Sequence, residues 1–339
     1  MKSSVVTVTL NPALDKTITL ARLQRGGLNR VKEIQLDPGG KGINVAKVLK
    51  QFQIDVLATG FIAGSQGDFI MKKLKNEGMK FHFLRIDGET RTNLKIVEEE
   101  TKVTTEVNES GFEVSKKDLD QFMDEMEEIL NESNILVLGG SLPPGVPDTI
   151  YRDFIEMANH RNVKTILDAD GAALKEGIKA KPYAIKPNLF ELEQLFGYEL
   201  DSDEKIISVS KELLKVGISL IVISMGSKGS VVMDKEEIYR VTPFPIIPGS
   251  TVGAGDSMVA ALVYSLLKEK SLIELAKWIT TAGTVTASKP GTQVCTFTEV
   301  QRFLGQVQVS QIEADGAHFP NESPVLCGTG GSITQIGHD

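Results

Sequence analysis

From Val5 to about residue 224, short β-branched runs alternate with longer amphipathic ones, and nothing else in the chain constrains the fold as strongly. The runs VVTVT (from Val5), VLATGF (Val56), ILVLGG (Ile135), KTILDA (Lys164), YAIKPN (Tyr183) and LIVISMG (Leu220) read as strands. Between them, INVAKVLKQF, FIMKKLKNEG, LDQFMDEMEEILN, TIYRDFIEMANH, FELEQLF and IISVSKELLKVG place apolar residues three and four apart. Leu119, Phe122, Met123, Met126 and Leu130 show the spacing. Strand and helix in such alternation imply a mostly parallel sheet covered by helices on both faces. On such sheets ligands bind at the carboxyl ends of the strands.

One region departs from the alternation. Residues 90–108, TRTNLKIVEEETKVTTEVN, read as two strands joined by an acidic turn, and TITLARL (Thr17 to Leu23) reads as another short strand. A few strands with one apolar face need a cover. They are expected to form a small β lid, with strands at about 16–36 and 90–108, whose back is buried against a second subunit. The alternative is a plain edge extension of the main sheet. Beyond Leu304 the periodicity fades and Gly, Ser and Pro increase, so one domain is expected over 1–305 and an irregular, non-catalytic tail over 306–339.

With 339 residues, 41% of them hydrophobic and 24% charged, the chain can bury a full core. A net charge of −8 argues against nucleic acid and anionic membrane as partners and leaves small molecules. Cys295 and Cys327 make no disulfide framework, and His82, His160, His318 and His338 show no zinc-ligand spacing. No apolar run approaches the roughly 20 residues of a membrane span, and the N-terminal segment reaches Asn11-Pro12 too soon for a signal sequence. A cytoplasmic setting is expected.

The chemistry is expected in the glycine segments. PGGKGIN (Pro38 to Asn44) is not a P-loop, because Gln35 stands where the first Gly belongs and Gly42 replaces Ser or Thr. GAGDSM lacks the last glycine of the dinucleotide fingerprint, with Met258 in its place. What STVGAGDSM does offer is backbone N–H groups at the start of an apolar helix, where the macrodipole favours an anion. Taken alone, Asp256 could equally be a residue suited to a helix start, worth about 0.3 to 1 kcal/mol. GGSLPPG (Gly139 to Gly145), SMGSKGS (Ser224 to Ser230) and KPNLFELEQL, whose Asn188 and Glu191 fall three apart, sit at the same expected sheet edge. Together they point to a binding site.

In this order, GGKGIN, TRTNLK, GSLPPG, KPNLFE, SMGSKGS and TVGAGDS make the chain resemble the ribokinase-like sugar kinases of the phosphofructokinase B family, from about Val5 to Leu304. TLNPALD, GGKGINVAKVLK, RTNLK and STVGAGDSM are most similar to the 1-phosphofructokinase branch. The resemblance implies a ribokinase-like α/β/α sandwich with a lid, ATP as donor, Mg²⁺, often a monovalent cation such as K⁺, and a homodimer through lid strands. It implies Asp256 as general base beside an anion hole of Gly253, Ala254, Gly255 and Asp256 backbone. Asp15, Gly39, Gly40, Asn44, Arg91 and Ser141 would hold the phosphorylated ketohexose, with Lys41 and Lys95 nearby. Lys186, Asn188, Ser224, Gly226, Ser227 and Gly229 would line the nucleotide, with Thr280 and Thr284 near the adenine. Glu191 and Asn188 are the expected metal site. Ser250, Val252, Thr286 and Gly291 suit the family's cation loop, whereas Lys289 and Gln293 depart from it.

Phosphoryl transfer depends on positioning and charge stabilisation, which suits an amide-lined helix start with its own carboxylate. That carboxylate, with an ordinary pKa of about 3.9, is expected to be ionised at neutral pH. Glycine at 253 and 255 would let a phosphate approach the backbone. Arg91 reads as a phosphate clamp or, alternatively, as the partner of a lid glutamate. The expected activity is phosphorylation of fructose 1-phosphate to fructose 1,6-bisphosphate. Kinases of tagatose 6-phosphate or fructose 6-phosphate, and a non-catalytic sugar-phosphate sensor, are the rival readings.

Overall fold

The computed structural model describes residues 4–101 and 103–313. The strands are β1 (Val5–Thr9), β2 (Ala13–Leu20), β3 (Glu33–Gly39), β4 (Val56–Ile62), β5 (Lys80–Arg85), β6 (Arg91–Glu98), β7 (Thr104–Asn108), β8 (Ile135–Gly139), β9 (Lys164–Asp168), β10 (Ala184–Ile185), β11 (Leu220–Ser224), β12 (Ser230–Met233), β13 (Ile238–Thr242) and β14 (Gln308–Gln311). The helices are α1 (Lys41–Gln51), α2 (Gly64–Asn76), α3 (Lys116–Leu130), α4 (Ile150–Asn159), α5 (Gly171–Lys179), α6 (Leu189–Phe196), α7 (Asp203–Val216), α8 (Ala254–Leu267), α9 (Leu272–Ala287) and α10 (Phe297–Phe303).

Ten strands form the central sheet in the order β14-β13-β12-β11-β10-β9-β8-β1-β4-β5. From β11 to β5 every pair is parallel, and β12, β13 and β14 continue the sheet antiparallel. Val5 and Val6 show how the layers are built. Both are fully buried, but Val6 packs with Phe122, Tyr151, Leu174 and Leu213 of α3, α4, α5 and α7, while Val5 packs with α1, α8 and α9. Period-2 alternation thus sends successive side chains into two separate cores. Helix α8 is apolar around its whole circumference, with Asp256 to Ser265 all buried, as expected of a helix enclosed by its neighbours α1 and α9. Helices α9 and α10 begin at reciprocal capping boxes, Ser271 with Glu274 and Thr296 with Glu299, each cap contributing about 1 kcal/mol.

The lid is a separate four-stranded sheet, β3-β2-β6-β7, so the edge-extension alternative does not hold. Its registers, Asp15 opposite Asn93 and Asn93 opposite Asn108, align polar residues across the strands, and Lys95 stands opposite Glu106. These side chains line the cavity beneath. The alternate positions Ile18, Ile34, Leu94, Ile96 and Val107 form the other face, where Ile34 is 56% and Val107 54% exposed.

The expected irregular tail needs correction at its start. Gln308–Gln311 pairs antiparallel with β13, and Val307 is buried beneath the sheet edge. A strand of four residues gains its order from the partner's open edge, which composition does not report. Residues 314–339 of the expected tail lie outside the described residues.

Candidate active site

The carboxyl ends of β1 and β8 share a cavity with the lid where the strand order reverses on either side of β1, and β9 and β10 end beside them. Thr9, the last residue of β1, accepts a hydrogen bond at Oγ1 from the Ile43 amide (3.0 Å) and so fixes the start of α1. A Cβ on Gly42 would fall 2.5 Å from the Val8 carbonyl oxygen, so only glycine allows this helix to seat so closely on the strand. That seating delivers Lys41 and Asn44 to the site.

Gly253 has φ 75° and turns the chain into α8 through the left-handed region. Ala254 N donates to Thr251 O (3.3 Å) and Ser257 N to Gly253 O (2.9 Å), leaving the amides of Gly255 and Asp256 without an acceptor in the helix. Asp256 does not cap its own helix. Its Oδ2 accepts from Asn44 Nδ2 at 2.9 Å. Burial, reinforced by nearby Asp168, pushes the Asp256 carboxyl up to about 6, while Lys41, Asn44 and Lys186 act in the opposite sense. The expectation of an ordinary pKa is thereby corrected, although the group is still ionised at pH 7. A Cβ on Gly255 would make ordinary contact with Lys186 Nζ at 3.5 Å, so the fold itself does not demand glycine there.

A cavity of about 420 Å³ opens in front of Asp256. Its size is that of a small-molecule site. Of the residues expected to hold the sugar phosphate, Asp15, Gly40, Lys41, Asn44, Arg91, Lys95 and Ser141 line it. Gly39 lies against the Asp15 carboxylate, since a Cβ there would meet it at 2.6 Å. Asp15 Oδ2 accepts from Lys95 Nζ (3.0 Å) and Oδ1 from Asn93 Nδ2 (3.3 Å), all in the lid sheet. Arg91 donates to Ser141 Oγ (3.0 Å) and to the carbonyls of Asn11 and Glu109 (both 3.1 Å). Among the described residues it makes no ion pair with a lid glutamate. Its direct hydrogen bonds among the described residues go to neutral oxygens, while the Asp15 and Glu109 carboxylates act on its charge from farther away.

The residues expected around the nucleotide fall on a neighbouring stretch of the same edge. Lys186, at the end of β10, is buried with Nζ 3.2 Å from Asp168 Oδ1. Asn188 and Glu191 form a reciprocal capping box at the start of α6, each side chain accepting the other's amide at 2.8 Å. Asn188 bridges to Ser224, where β11 leads into the exposed turn of Gly226 and Ser227, closed by Gly229. Thr280 and Thr284 are otherwise engaged. The Thr280 hydroxyl lies 2.6 Å from Ser230 Oγ, and Thr284 donates to the Thr280 carbonyl at 2.7 Å, both inside the fold.

Burial pushes the Glu191 carboxyl up, opposed by the Asn188 amide bond and by Lys41. Among the described residues no three His, Cys, Asp or Glu side chains gather as a metal cage. Glu191 commits Oε2 to the cap and keeps its other oxygen. One carboxylate oxygen suits Mg²⁺, which keeps several waters and takes substrate phosphates as its remaining ligands. Asn188 has given its oxygen to the Glu191 amide, so it holds Glu191 in place.

Around the expected cation loop, Ser250 N donates to Ala287 O (3.4 Å), and Lys289 N to Thr286 O (2.9 Å). The Lys289 ammonium turns to Glu299 of α10 (2.7 Å). Beyond it, Thr292 Oγ1 donates to Asp37 Oδ2 (2.7 Å) and accepts from Gln35 Nε2 (3.3 Å), joining this loop to lid strand β3.

Sequence reasoning missed Asp168, which binds both Lys41 and Lys186, and the lining residues Asn11, Asn93, Glu106 and Asn108. An acidic residue closing an apolar strand at the ligand edge, as in KTILDA, was the available signal for Asp168.

A family profile described as pfkB family carbohydrate kinase matches residues 8–299. A curated protein of Haemophilus influenzae named 1-phosphofructokinase is 38% identical over 92% of this chain and 99% of its own length. A Borreliella burgdorferi protein of the same name is 34% identical over 91% and 99%. Among solved structures, phosphofructokinase-2 from Escherichia coli in complex with potassium superposes with a TM-score of 0.85 at 28% identity, covering 90% of this chain and 99% of that one. The same Escherichia coli protein in complex with fructose-6-phosphate gives a TM-score of 0.84 at 27% identity, with the same coverage.

Proposed function

The chain belongs to the pfkB family of carbohydrate kinases, and from that premise we propose that this ATP-dependent sugar kinase phosphorylates the free C6 hydroxyl of fructose 1-phosphate. One observation carries the reading: the buried Asp256 carboxylate and the Arg91 guanidinium, which makes no direct ion pair among the described residues, line one cavity. A base and an anion clamp in one chamber suit an acceptor that bears both a hydroxyl and a phosphate. The choice of fructose 1-phosphate rests on the names of the curated relatives.

In this mechanism Arg91 and Ser141 bind the phosphate already on the sugar, and Asp15, Gly39, Gly40 and Asn44 hold its hydroxyls. Lys41 and Lys95 add positive charge beside it. The C6 oxygen attacks the γ-phosphorus. The new O–P bond forms as the bond to the β–γ bridging oxygen breaks, its electron pair leaves with ADP, and the hydroxyl proton passes to Asp256. The amides at Gly253, Ala254, Gly255 and Asp256 stabilise the phosphoryl oxygens as charge shifts. Lys186, Asn188, Ser224, Gly226, Ser227 and Gly229 line the donor. Glu191 would hold Mg²⁺, which would supply positive charge to the donor's phosphates. A K⁺ at the loop around Ser250, Val252, Thr286 and Gly291 belongs to the same reading, supported by the Lys289 ammonium being paired with Glu299.

The apolar back of the lid supports a homodimer in which two lids cover each other, burying Ile34 and Val107. Among the described residues no helix is long and apolar enough to cross a membrane. A cytoplasmic setting, where ATP and phosphosugars are held, completes the reading.

The test is a coupled ADP-release assay with fructose 1-phosphate, fructose 6-phosphate and tagatose 6-phosphate. The highest kcat/KM is expected for fructose 1-phosphate. A clear preference for either 6-phosphate would transfer the assignment to that substrate, and binding without turnover on all three would favour the sensor.

A further inference from the structure

Asp168 closes β9 at the floor of the site and is 3% exposed. Its Oδ1 lies 3.0 Å from Lys41 Nζ and 3.2 Å from Lys186 Nζ, and its backbone carbonyl accepts a second bond from Lys41 at 3.0 Å. The two ammoniums arrive from different elements, Lys41 from the first turn of α1 and Lys186 from the end of β10. Lys186 Nζ also stands 3.5 Å from where a Gly255 side chain would begin, beside the unpaired amides of α8. One carboxylate therefore holds two cations, and the trio carries a net charge of +1 next to the anion-binding turn.

We propose that Asp168 is a positioning residue for phosphoryl transfer: it sets the Lys41 and Lys186 ammoniums as a pair facing the transferring group and shields Asp256 from both. The inference rests on the kinase reading above. Without Asp168, two like charges a few ångströms apart would repel each other. Each would also be free to pair with Asp256, the carboxylate that has to accept a proton. Burial opposes the charge on Lys41, yet Asp168, followed by Asp256 and Glu191, holds its pKa above the usual lysine value. The shared carboxylate oxygen brings both ammoniums within 3.2 Å of one negative charge. The same carboxylate adds to the burial that raises Asp256. The groups acting on Asp256 are Asp168 from β9, Lys41 and Asn44 from α1, and Lys186 from β10. Asp15, Arg91, Lys95 and Glu106 of the lid line the same cavity.

The test compares Asp168→Asn and Asp168→Glu with the wild-type enzyme, using saturating ATP and varied phosphosugar. Asp168→Asn is expected to lower kcat by about 10²-fold, as for loss of one charge-stabilising donor, with the sugar-phosphate KM changed by no more than a few-fold. Its acid limb should move to lower pH, because removing a nearby negative charge makes Asp256 easier to ionise. Asp168→Glu keeps the charge but displaces it, so kcat should fall while the acid limb stays where it is in the wild type. The inference is overturned by a folded Asp168→Asn whose acid limb does not move, or by an Asp168→Glu with wild-type kcat. If Asp168→Asn does not fold, Asp168→Glu decides the matter alone. Failure of the kinase reading itself would be seen in the wild type, as no turnover on any of the three phosphosugars.

Discussion

Asn44 and Asp256, 212 residues apart in sequence, meet through a 2.9 Å hydrogen bond between Asn44 Nδ2 and Asp256 Oδ2. The bond joins the first turn of α1 to the first turn of α8 and aims the carboxylate across the cavity instead of back at its own helix. Two helix starts, each preceded by glycines, thereby become one site.

Asp256→Asn should lower kcat by about 10²- to 10⁴-fold, the range for loss of a general base, and change ATP affinity by only a few-fold. Steady-state turnover together with equilibrium ATP binding checks this. Near-normal turnover would remove Asp256 from the chemistry.

The pH dependence follows from the same group. A base must be ionised, so kcat/KM should rise with pH through a midpoint near the Asp256 pKa of about 6 and level off above it. Stability runs the other way. The folded pKa lies above the ordinary 3.8, so Asp256 costs stability progressively as the pH rises from 3.8 to about 6, fully above that, and not at all below the unfolded value. Asp256→Asn should therefore be more stable than wild type at pH 7.5, by on the order of 3 kcal/mol, and lose that advantage below about pH 4. Thermal melts at the two pH values test the sign.

Arg91→Ala should raise the KM for the phosphosugar by about 10- to 100-fold, matching the roughly 1.5 to 3 kcal/mol of a charged hydrogen bond, while the KM for ATP stays nearly constant. Arg91→Lys should recover only part of the loss, because a single ammonium cannot reproduce the planar fork. Equal changes in both KM values would place Arg91 elsewhere in the cycle.

Gly255→Ala separates the needs of the fold from those of the ligand. Its new methyl would find ordinary contact distance to Lys186, so the melting temperature should stay close to wild type. Turnover should fall at least tenfold if a phosphoryl group must approach that amide, each tenfold being about 1.4 kcal/mol of barrier. A fully active Gly255→Ala would show that the transferring group passes elsewhere.

Ile34→Glu probes the lid's back. It places a charge on the apolar face that the proposed dimer buries, and sedimentation should show a shift toward monomer relative to wild type. An unchanged mass would locate any self-association on another surface.

The parallel sheet was legible because strands buried on both faces read as unbroken apolar runs, as Val5 to Thr9 and Ile135 to Gly139 do. The lid was legible too, since its strands alternate polar and apolar positions. Less accessible were β5 and the antiparallel extension β12 to β14, short segments ordered by the edges they join. The glycine turns that the sequence marks bring Gly40, Lys41, Asn44, Ser141, Gly253 and Asp256 to one cavity. Asp168 escaped notice because its role depends on two lysines, one of them more than a hundred residues away. The hydroxyls of Thr280 and Thr284 are hydrogen-bonded within the protein interior, which their sequence spacing does not report.

The contact of Thr292 with Asp37 and Gln35 makes the roof over the acceptor and the loop following α9 mechanically dependent. Lid strand β3 cannot swing away without surrendering those hydrogen bonds, and loop 288–293 cannot loosen without releasing the roof. If one ligand orders the loop and another closes the lid, each favours the other by the same factor, and one threonine side chain is where loop and lid strand meet.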